Sequence, residues 1–250
     1  MREAGGFHPD YIFWGITDNM TEKEMRELMS VAAGLTRKSV VCEVSGGLDS
    51  TVAAAMAINL GLIPHFLFFD WGQKTMEKEM DCAQKLATFY RASLMMVEVK
   101  LLKQLPGVSL TAAETMTTAV NEYVPNRNAI LHSQAVALAE SLKAGAVIVG
   151  STGGDHICPD NSPEFIAAQQ GLIAVGTMLK PPIQIIAPLL TTDKIGAVRI
   201  GRELGVPFEL TWSCHNGLTE ACGVCSNCES RIEAFNLNND RDPISYAKQT

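Results

Sequence analysis

The chain of 250 residues carries 20 Lys and Arg against 27 Asp and Glu, a net charge of −7, with 47% hydrophobic and 19% charged residues. Such a composition buries enough apolar surface to offset the entropy of ordering, which excludes a disordered chain, and the length suits one large α/β domain with a small appendage. The acidic balance offers no broad attraction to nucleic acid or to an anionic membrane, so small-molecule chemistry is the default. No run approaches the roughly 18 consecutive apolar residues of a membrane span, and the start MREAGGFHPDYIFWG has neither the charge nor the apolar stretch of a signal peptide. A cytoplasmic protein with no membrane partner is expected.

Residues 1–38 read as an N-terminal arm and helix. The first part has no period, carries Gly5, Gly6 and Pro9, and offers Tyr11, Phe13 and Trp14 for packing. Thr21 and Glu24 form a capping-box pattern, and Met25, Leu28, Met29 and Ala32 follow at helical spacing, which predicts a helix to Leu35. SVVCEV at 39–44 is a β-branched strand that stops at Ser45-Gly46-Gly47, and DSTVAAAMAINLG is a helix closing on Gly61. HFLFFD at 65–70 is a second strand, Thr75 to Arg91 a helix, and SLMMVEV at 93–99 a third strand. Residues 106–125 form a polar connection long enough to serve as a lid or binding loop.

Asn128 to Lys143 reads as a helix and AGAVIVG at 144–150 as a strand buried on both faces, as in a parallel sheet. A polar loop, STGGDHICPDNSPEF, comes next. It leads into a helix from Pro163 to Met178, a short strand IQIIAP at 183–188, and a helix from Thr192 to Leu204. From Trp212 the composition changes to Cys- and Asn-rich, with short helices expected at 229–237 and 245–249. The alternation predicts a doubly wound parallel α/β sheet over 39–211 with a small metal-binding helical cap over 212–250.

Four stretches carry chemistry. Ser45-Gly46-Gly47-Leu48-Asp49-Ser50-Thr51 joins a buried strand to a helix, where free backbone N–H groups and the helix dipole favour a phosphate. The glycines let backbone approach the anion, Ser45, Ser50 and Thr51 add hydroxyl donors, and Asp49 is placed to help hold Mg²⁺. Neither GxxxxGK[ST] nor GxGxxG occurs, which disfavours a γ-phosphate-cleaving ATPase and an ordinary dinucleotide site.

Cys214-x7-Cys222-x2-Cys225-x2-Cys228 places four of the seven cysteines within fifteen residues, with Gly217 and Gly223 allowing the turns. Four thiolates suit a structural Zn²⁺ with a closed coordination sphere; an iron–sulfur cluster or redox thiols are the competing readings. His215 beside the first ligand reads as a group on the substrate side. Within Tyr123-Val124-Pro125-Asn126-Arg127-Asn128, Arg127 matches the geometry of a phosphate and would stabilise charge on departing pyrophosphate, while the asparagines are alternatively helix caps.

Asp70, Gln73 and Lys74 stand at the carboxyl end of the second strand, the edge on which such sheets bind ligands. In the loop after the fourth strand, Asp155 and Asp160 could accept from the N–H groups of a purine-like base and His156 could move a proton, although Asp160 or Ser162 also reads as a cap for the next helix. Cys158 reads as buried filler.

SGGLDS resembles the pyrophosphate loop of the N-type ATP pyrophosphatases, which cleave ATP to AMP and pyrophosphate. Together SGGLDST, FFDWGQK, YVPNRN, the PDNSPEF loop, Thr192-Asp193-Lys194 and TWSCHNG…CGVCSNCESR resemble the 7-cyano-7-deazaguanine (preQ0) synthase family over residues 39–237. The resemblance implies an ATP-dependent ligase that adenylates the carboxylate of 7-carboxy-7-deazaguanine, forms an amide with ammonia, and activates the amide to leave a nitrile. It implies ATP, Mg and Zn as cofactors, a homodimer, no nucleic-acid partner, and a place in queuosine biosynthesis. By carry-over the ATP loop spans Val44 to Ala54, zinc is held by Cys214, Cys222, Cys225 and Cys228, and Lys194 contacts phosphate. Asn161 is carried over to the substrate loop.

This chain departs from the family pattern in DHICPDNSPEF, where the family reads close to D-x-S-G-Y-P-D-C-R-P-E-F, and in His215 and Asn126, where the family has Tyr and Gly. The altered loop motivates a rival reading, a related enzyme that passes the adenylated carboxylate to another amine and stops at the amide. A tRNA thiolase and a nucleotide-binding module without activity are the readings of other classes.

Overall fold

The computed structural model describes residues 22–106, 108, 110–111, 123–153, 158–216 and 219–247. Helix α1 (Glu22–Gly34) leads into β1 (Ser39–Glu43), α2 (Leu48–Asn59), β2 (Ile63–Asp70), α3 (Met76–Tyr90), β3 (Ser93–Glu98) and the single turn α4 (Lys100–Lys103). The second half runs α5 (Arg127–Ser141), β4 (Ala146–Ile148), α6 (Pro163–Gly176), β5 (Gln184–Ile186), α7 (Lys194–Glu203) and α8 (Ser226–Leu237). The doubly wound parallel sheet read from the sequence is present.

All neighbouring strands are parallel, in the order β3-β2-β1-β4-β5. The chain winds outward from β1 through β2 to β3, then crosses back to lay β4 on the other side of β1. The order therefore reverses between β1 and β4, and the crevice at their carboxyl ends is where such a sheet takes a ligand. The central strand has to be apolar on both faces, and it is: Val40, Val41 and Cys42 are buried.

Strand alternation sends Val40 and Cys42 into one core and Val41 into another. The first core is closed by α2, α3, α7 and the end of α8, the second by α4, α5 and α6. Helix α2 is apolar almost all round because it lies between the sheet and α7, and its run of alanines lets both approach. Gly201 of α7 is part of that fit: a Cβ there would lie 2.4 Å from Phe208 Cζ and 2.9 Å from Val52 Cγ2.

Most element boundaries match the sequence reading, with β4 and β5 shorter than their apolar runs. The Thr21 end of the predicted capping box, most of the 106–125 connection, and Asp155 and His156 lie outside the described residues. One expectation is corrected. Residues 245–247, read as the start of a helix, instead run as extended chain beside Ala221, with Ala221 N donating to Ser245 O and Ala247 N donating to Ala221 O. The Tyr246 hydroxyl donates to Asp242 Oδ2 at 2.5 Å, and that anchor competes with a helical turn.

Asp242 in turn ties the C-terminal segment to the main core through Arg231 of α8, which is fully buried. Arg231 donates to both Asp242 oxygens, at 2.7 and 3.0 Å, and also to Thr211 Oγ1, Ser213 Oγ and the Phe208 carbonyl. Removing one partner of a buried, fully bonded pair strands the other charge. Arg231→Met is therefore expected to lower unfolding stability by about 3–5 kcal/mol, read from urea denaturation; a loss within experimental error would show that Asp242 finds water instead.

Candidate active site and metal centre

At the end of β1 the chain must turn sharply into α2 without blocking the helix N-terminus. Gly46 makes the turn at φ +77, and a Cβ there would meet the Glu79 carbonyl at 2.4 Å, so no other residue fits. Gly47 is the N-cap of α2 and supplies no side-chain cap, which leaves the first-turn N–H groups available to a ligand. Ser45 N donates to Ser50 Oγ, while Ser50 Oγ and Thr51 Oγ1 donate to the Gly47 carbonyl at 3.2 and 2.7 Å. Thr51 is thus buried and spent on shaping the loop, whereas Ser45 and Ser50 stand in the wall of the cavity beyond. Gly150, after β4, brings the opposite wall close: a Cβ would lie 2.8 Å from Ser50 N.

The cavity measures ≈ 310 Å³ and lies over the carboxyl ends of β1, β2 and β4. Val44, Ser45, Gly47, Leu48, Asp49 and Ser50 form its loop wall. Leu67, Phe69, Trp71 and Leu110 make an apolar flank at β2, and Ser151, Thr152, Cys158 and Asn161 a more polar flank at β4.

Positive charge converges on the loop from two directions. Lys194 Nζ stands 3.5 Å from Asp49 Oδ2 and donates to Asn227 Oδ1 at 3.0 Å. Its neighbour Asp193 is occupied as the N-cap of α7, accepting from Gly196 N at 2.8 Å. Asp49 Oδ1 is buried with no hydrogen-bond partner among the described residues. Arg127, at the start of α5, lines the cavity with its guanidinium 5.3 Å from the centre of the Trp71 ring, and no carboxylate among the described residues pairs with it.

Other residues singled out from the sequence have structural partners. Asp70 is not in the cavity wall; it accepts from Gly72 N and from Lys103 Nζ, at 3.1 and 2.8 Å. Gln73 lines the cavity, but its amide is committed to Trp71 N, the Phe69 carbonyl and Glu79 Oε2. Asp160 is buried and accepts from Asn128 N at 2.8 Å, so it caps α5 across the loop; Ser162 caps α6 through Phe165 N. Asn161 lines the cavity and reaches the Thr152 carbonyl at 3.5 Å.

The sequence reading missed Glu79, Glu43 and His132, all in the cavity wall. Burial raises the Glu79 carboxyl above its ordinary value, against hydrogen bonds from Thr75 and Gln73 and the charge of Arg127 that pull it down. An acidic residue in a helix's first turn ordinarily signals dipole compensation at a solvated surface, which is why Glu79 carried no signal.

The cysteine cluster forms the neighbouring wall. Its four sulfurs all lie within 4.8 Å of one another, and Cys222 Sγ is 3.9 Å from Cys228 Sγ. A single tetrahedral ion bonded to sulfur at about 2.3 Å sets its ligands roughly 3.8 Å apart, so the donors fit one ion without rearrangement. A cluster of several metal atoms would need them more widely spaced. Backbone N–H groups of Cys222 and Cys225 donate to Cys214 Sγ and Cys222 Sγ, both at 3.3 Å, which suits thiolates. Hydrogen bonds from the Cys214 and Cys228 thiols hold Cys225 far below the ordinary thiol range.

This centre is joined to the loop by short links. Trp212 N donates to the Gly46 carbonyl at 2.8 Å, and the Trp212 indole donates to the Cys214 carbonyl at 2.8 Å. Asn227, between Cys225 and Cys228, holds Lys194 and lies 3.3 Å from the His215 ring. Burial lowers the His215 pKa to about 4, with Arg127, Lys194 and Lys74 adding to the effect against Cys225, so the ring is neutral at pH 7.

Comparison with known proteins bears on this arrangement. Residues 39–239 match the family model of the queuosine biosynthesis protein QueC. The 7-cyano-7-deazaguanine synthase of Methanoculleus marisnigri is 40% identical over 223 residues, covering 84% of this chain and 100% of that protein. The protein of the same name from Pseudoalteromonas atlantica is 37% identical over 221 residues, covering 84% and 99%. Among solved structures, NMN synthetase from Francisella tularensis superposes with a TM-score of 0.50 at 17% identity, covering 94% of this chain and 88% of that one, a likeness of fold alone.

Because the four sulfurs converge from separate turns of the segment, Cys225→Ser is expected to lower both bound metal and melting temperature. Metal analysis and a thermal melt on the same preparation test this, and an unchanged metal content would remove Cys225 from the ligand set.

Proposed function

The chain belongs to the QueC family, and from that premise we propose that it is an ATP-dependent ligase that converts 7-carboxy-7-deazaguanine and ammonia to 7-cyano-7-deazaguanine. The observation that carries the reading is the uncapped N-terminus of α2 in a cavity that also holds the Asp49–Lys194 pair and Arg127.

In this reading the triphosphate of ATP lies on the loop from Val44 to Thr51, with its negative charge against the α2 N–H groups, Lys194 and Arg127. The acceptor carboxylate attacks the α-phosphorus; a carboxyl–phosphorus bond forms and the bond to pyrophosphate breaks. Arg127 and Lys194 are placed to stabilise the charge that develops on the departing pyrophosphate. Ammonia then adds to the acyl carbon and AMP leaves, giving the amide. A second ATP activates the amide oxygen in the same way, and its loss as AMP with two protons leaves the nitrile.

Asp49 would hold Mg²⁺, a reading supported by its Oδ1, buried without a partner among the described residues. That ion would neutralise phosphate charge. Cys214, Cys222, Cys225 and Cys228 would hold Zn²⁺, whose four protein ligands leave no open position, so its contribution is to hold the wall that carries His215 and Asn227. Asn161, Asp155, His156 and Asp160 belong by this reading to the acceptor side, Asp160 acting through the start of α5. Asp70 and Gln73 support the nucleotide side by ordering the turn after β2.

The polar flank at β4 supports a heterocyclic acceptor there, and the names of the relatives favour completion to the nitrile over the rival stop at the amide. We read residues 39–211 as the catalytic unit and 212–250 as its metal-bearing cap, in a cytoplasmic enzyme with no nucleic-acid partner. No helix among the described residues is long and apolar enough to cross a membrane.

A homodimer is supported by α6 and the residues that follow it, where no charged residue occurs from Phe165 to Leu179 and where Leu172, Val175 and Met178 are 58%, 85% and 90% exposed. Val175→Glu is expected to sediment as a monomer where the parent chain sediments as a dimer; a dimer in both would exclude this face.

The deciding assay incubates the enzyme with 7-carboxy-7-deazaguanine, ATP, Mg²⁺ and ammonium and follows AMP and the deazapurines by liquid chromatography and mass spectrometry. Nitrile with AMP is expected. Accumulation of amide alone would favour the rival reading, and absence of AMP would exclude the carboxylate as substrate. Asp49→Ala should lower AMP formation at least about a hundredfold while leaving the folded state intact by circular dichroism.

A further inference from the structure

Among the described residues, the cavity wall contains a carboxylate–imidazole pair that none of these steps uses. Glu43 is the last residue of β1, and His132 lies on α5 a little more than a turn beyond Arg127. Glu43 points to the same side of the sheet as Val41, toward α5, and His132 Nδ1 meets its Oε1 at 2.9 Å. The side chains are 4% exposed for His132 and 12% for Glu43. Around them are Leu67, Leu131 and Val149, with the Phe165 ring centred 5.9 Å from the imidazole.

Fold stability does not account for this pair. A carboxylate and an imidazole among Val, Leu and Phe bear a desolvation penalty that an apolar pair of similar volume would not. The pair is also incomplete, because His132 Nε2 is buried with no hydrogen-bond partner among the described residues. With Nδ1 donating to Glu43 Oε1, the other ring nitrogen, Nε2, is the acceptor of the tautomer so fixed. A buried acceptor without a donor costs free energy until one arrives.

The location narrows what the donor is. His132 stands where α5 packs on β1 and β4, in a cavity wall that also holds Ser151, Cys158 and Asn161. We propose that the Glu43–His132 pair recognises the acceptor: His132 Nε2 accepts a hydrogen bond from an N–H group of a bound nitrogen heterocycle, and Glu43 is the positioning residue that orients the ring. The inference rests on the reading that a deazapurine carboxylate occupies this cavity.

The test uses the full chain and measures affinity rather than turnover. Binding of 7-carboxy-7-deazaguanine and, separately, of a non-hydrolysable ATP analogue is followed by titration calorimetry for the parent enzyme and for the double variant Glu43→Leu/His132→Leu, which leaves no stranded charge. The acceptor Kd is expected to rise about tenfold or more, the worth of one buried hydrogen bond, with the nucleotide Kd within about twofold and the melting temperature no lower. Glu43→Gln, whose amide oxygen still accepts from Nδ1, should keep most of the acceptor affinity. With five histidines in the chain, nitrogen NMR can follow a lone-pair Nε2 resonance that moves when the acceptor is added.

Unchanged acceptor affinity in the double variant would overturn the proposal, as would a fall in nucleotide affinity instead, which would assign the N–H to adenine. A lower melting temperature with unchanged affinity would mark the pair as structural. If the parent enzyme fails to bind the acceptor, it is the function proposed above that falls, and the two failures are told apart by that first titration.

Discussion

A helix N-terminus exposes backbone donors that the helix itself cannot satisfy, and at α2 this chain leaves them without a side-chain cap. The rest of the site can be understood as what is needed to keep that arrangement stable without a ligand. Helix α2 is held along its length by sheet and α7 and so needs no cap of its own for stability. Gly46 and Gly150 let the loop pack against α3 and the end of β4, where a Cβ would strike the Glu79 carbonyl and Ser50, and Trp212 N fixes the turn from behind by holding the Gly46 carbonyl. The cost of an open N-terminus is carried by the packing around it.

The cysteine segment enters the same logic from the other side. Four converging sulfurs lie at the centre of this segment, with Trp212, Ala221, Ile244 and Tyr246 packed around them. That stretch supplies Trp212 to the loop backbone and Asn227 to Lys194, which in turn faces Asp49. The cysteine segment is thus coupled to the loop after β1 and to Lys194 through hydrogen bonds of Trp212 and Asn227. The buried Arg231–Asp242 pair does the corresponding work at the far end of α8, locking the segment to the main core.

What was legible in the sequence was what is local. Strand, glycine turn and helix occur in one continuous stretch, and the cysteines occur within fifteen residues, so both patterns survive reading one residue at a time. Pairings between distant residues did not. Glu43 and His132 are 89 positions apart, and only the parallel sheet brings the end of β1 against α5. Asp70 and Asp160 stand where ligand-binding acids stand in such folds, yet Lys103 and the start of α5 claim them, partners that position along the chain does not reveal. The helix expected at 245–249 was misread for the same reason, because the Tyr246 hydroxyl answers to Asp242 and the backbone to Ala221.

The hydrogen bond from Trp212 to Gly46 joins residues from opposite ends of the described chain. During synthesis the sheet, α2 and the loop leave the ribosome well before Trp212 does. Until Trp212 and Asn227 have been made, the loop lacks its rear support and Lys194 its hydrogen-bond acceptor. The arrangement at the N-terminus of α2 is in this way completed only once the cysteine segment has been synthesised.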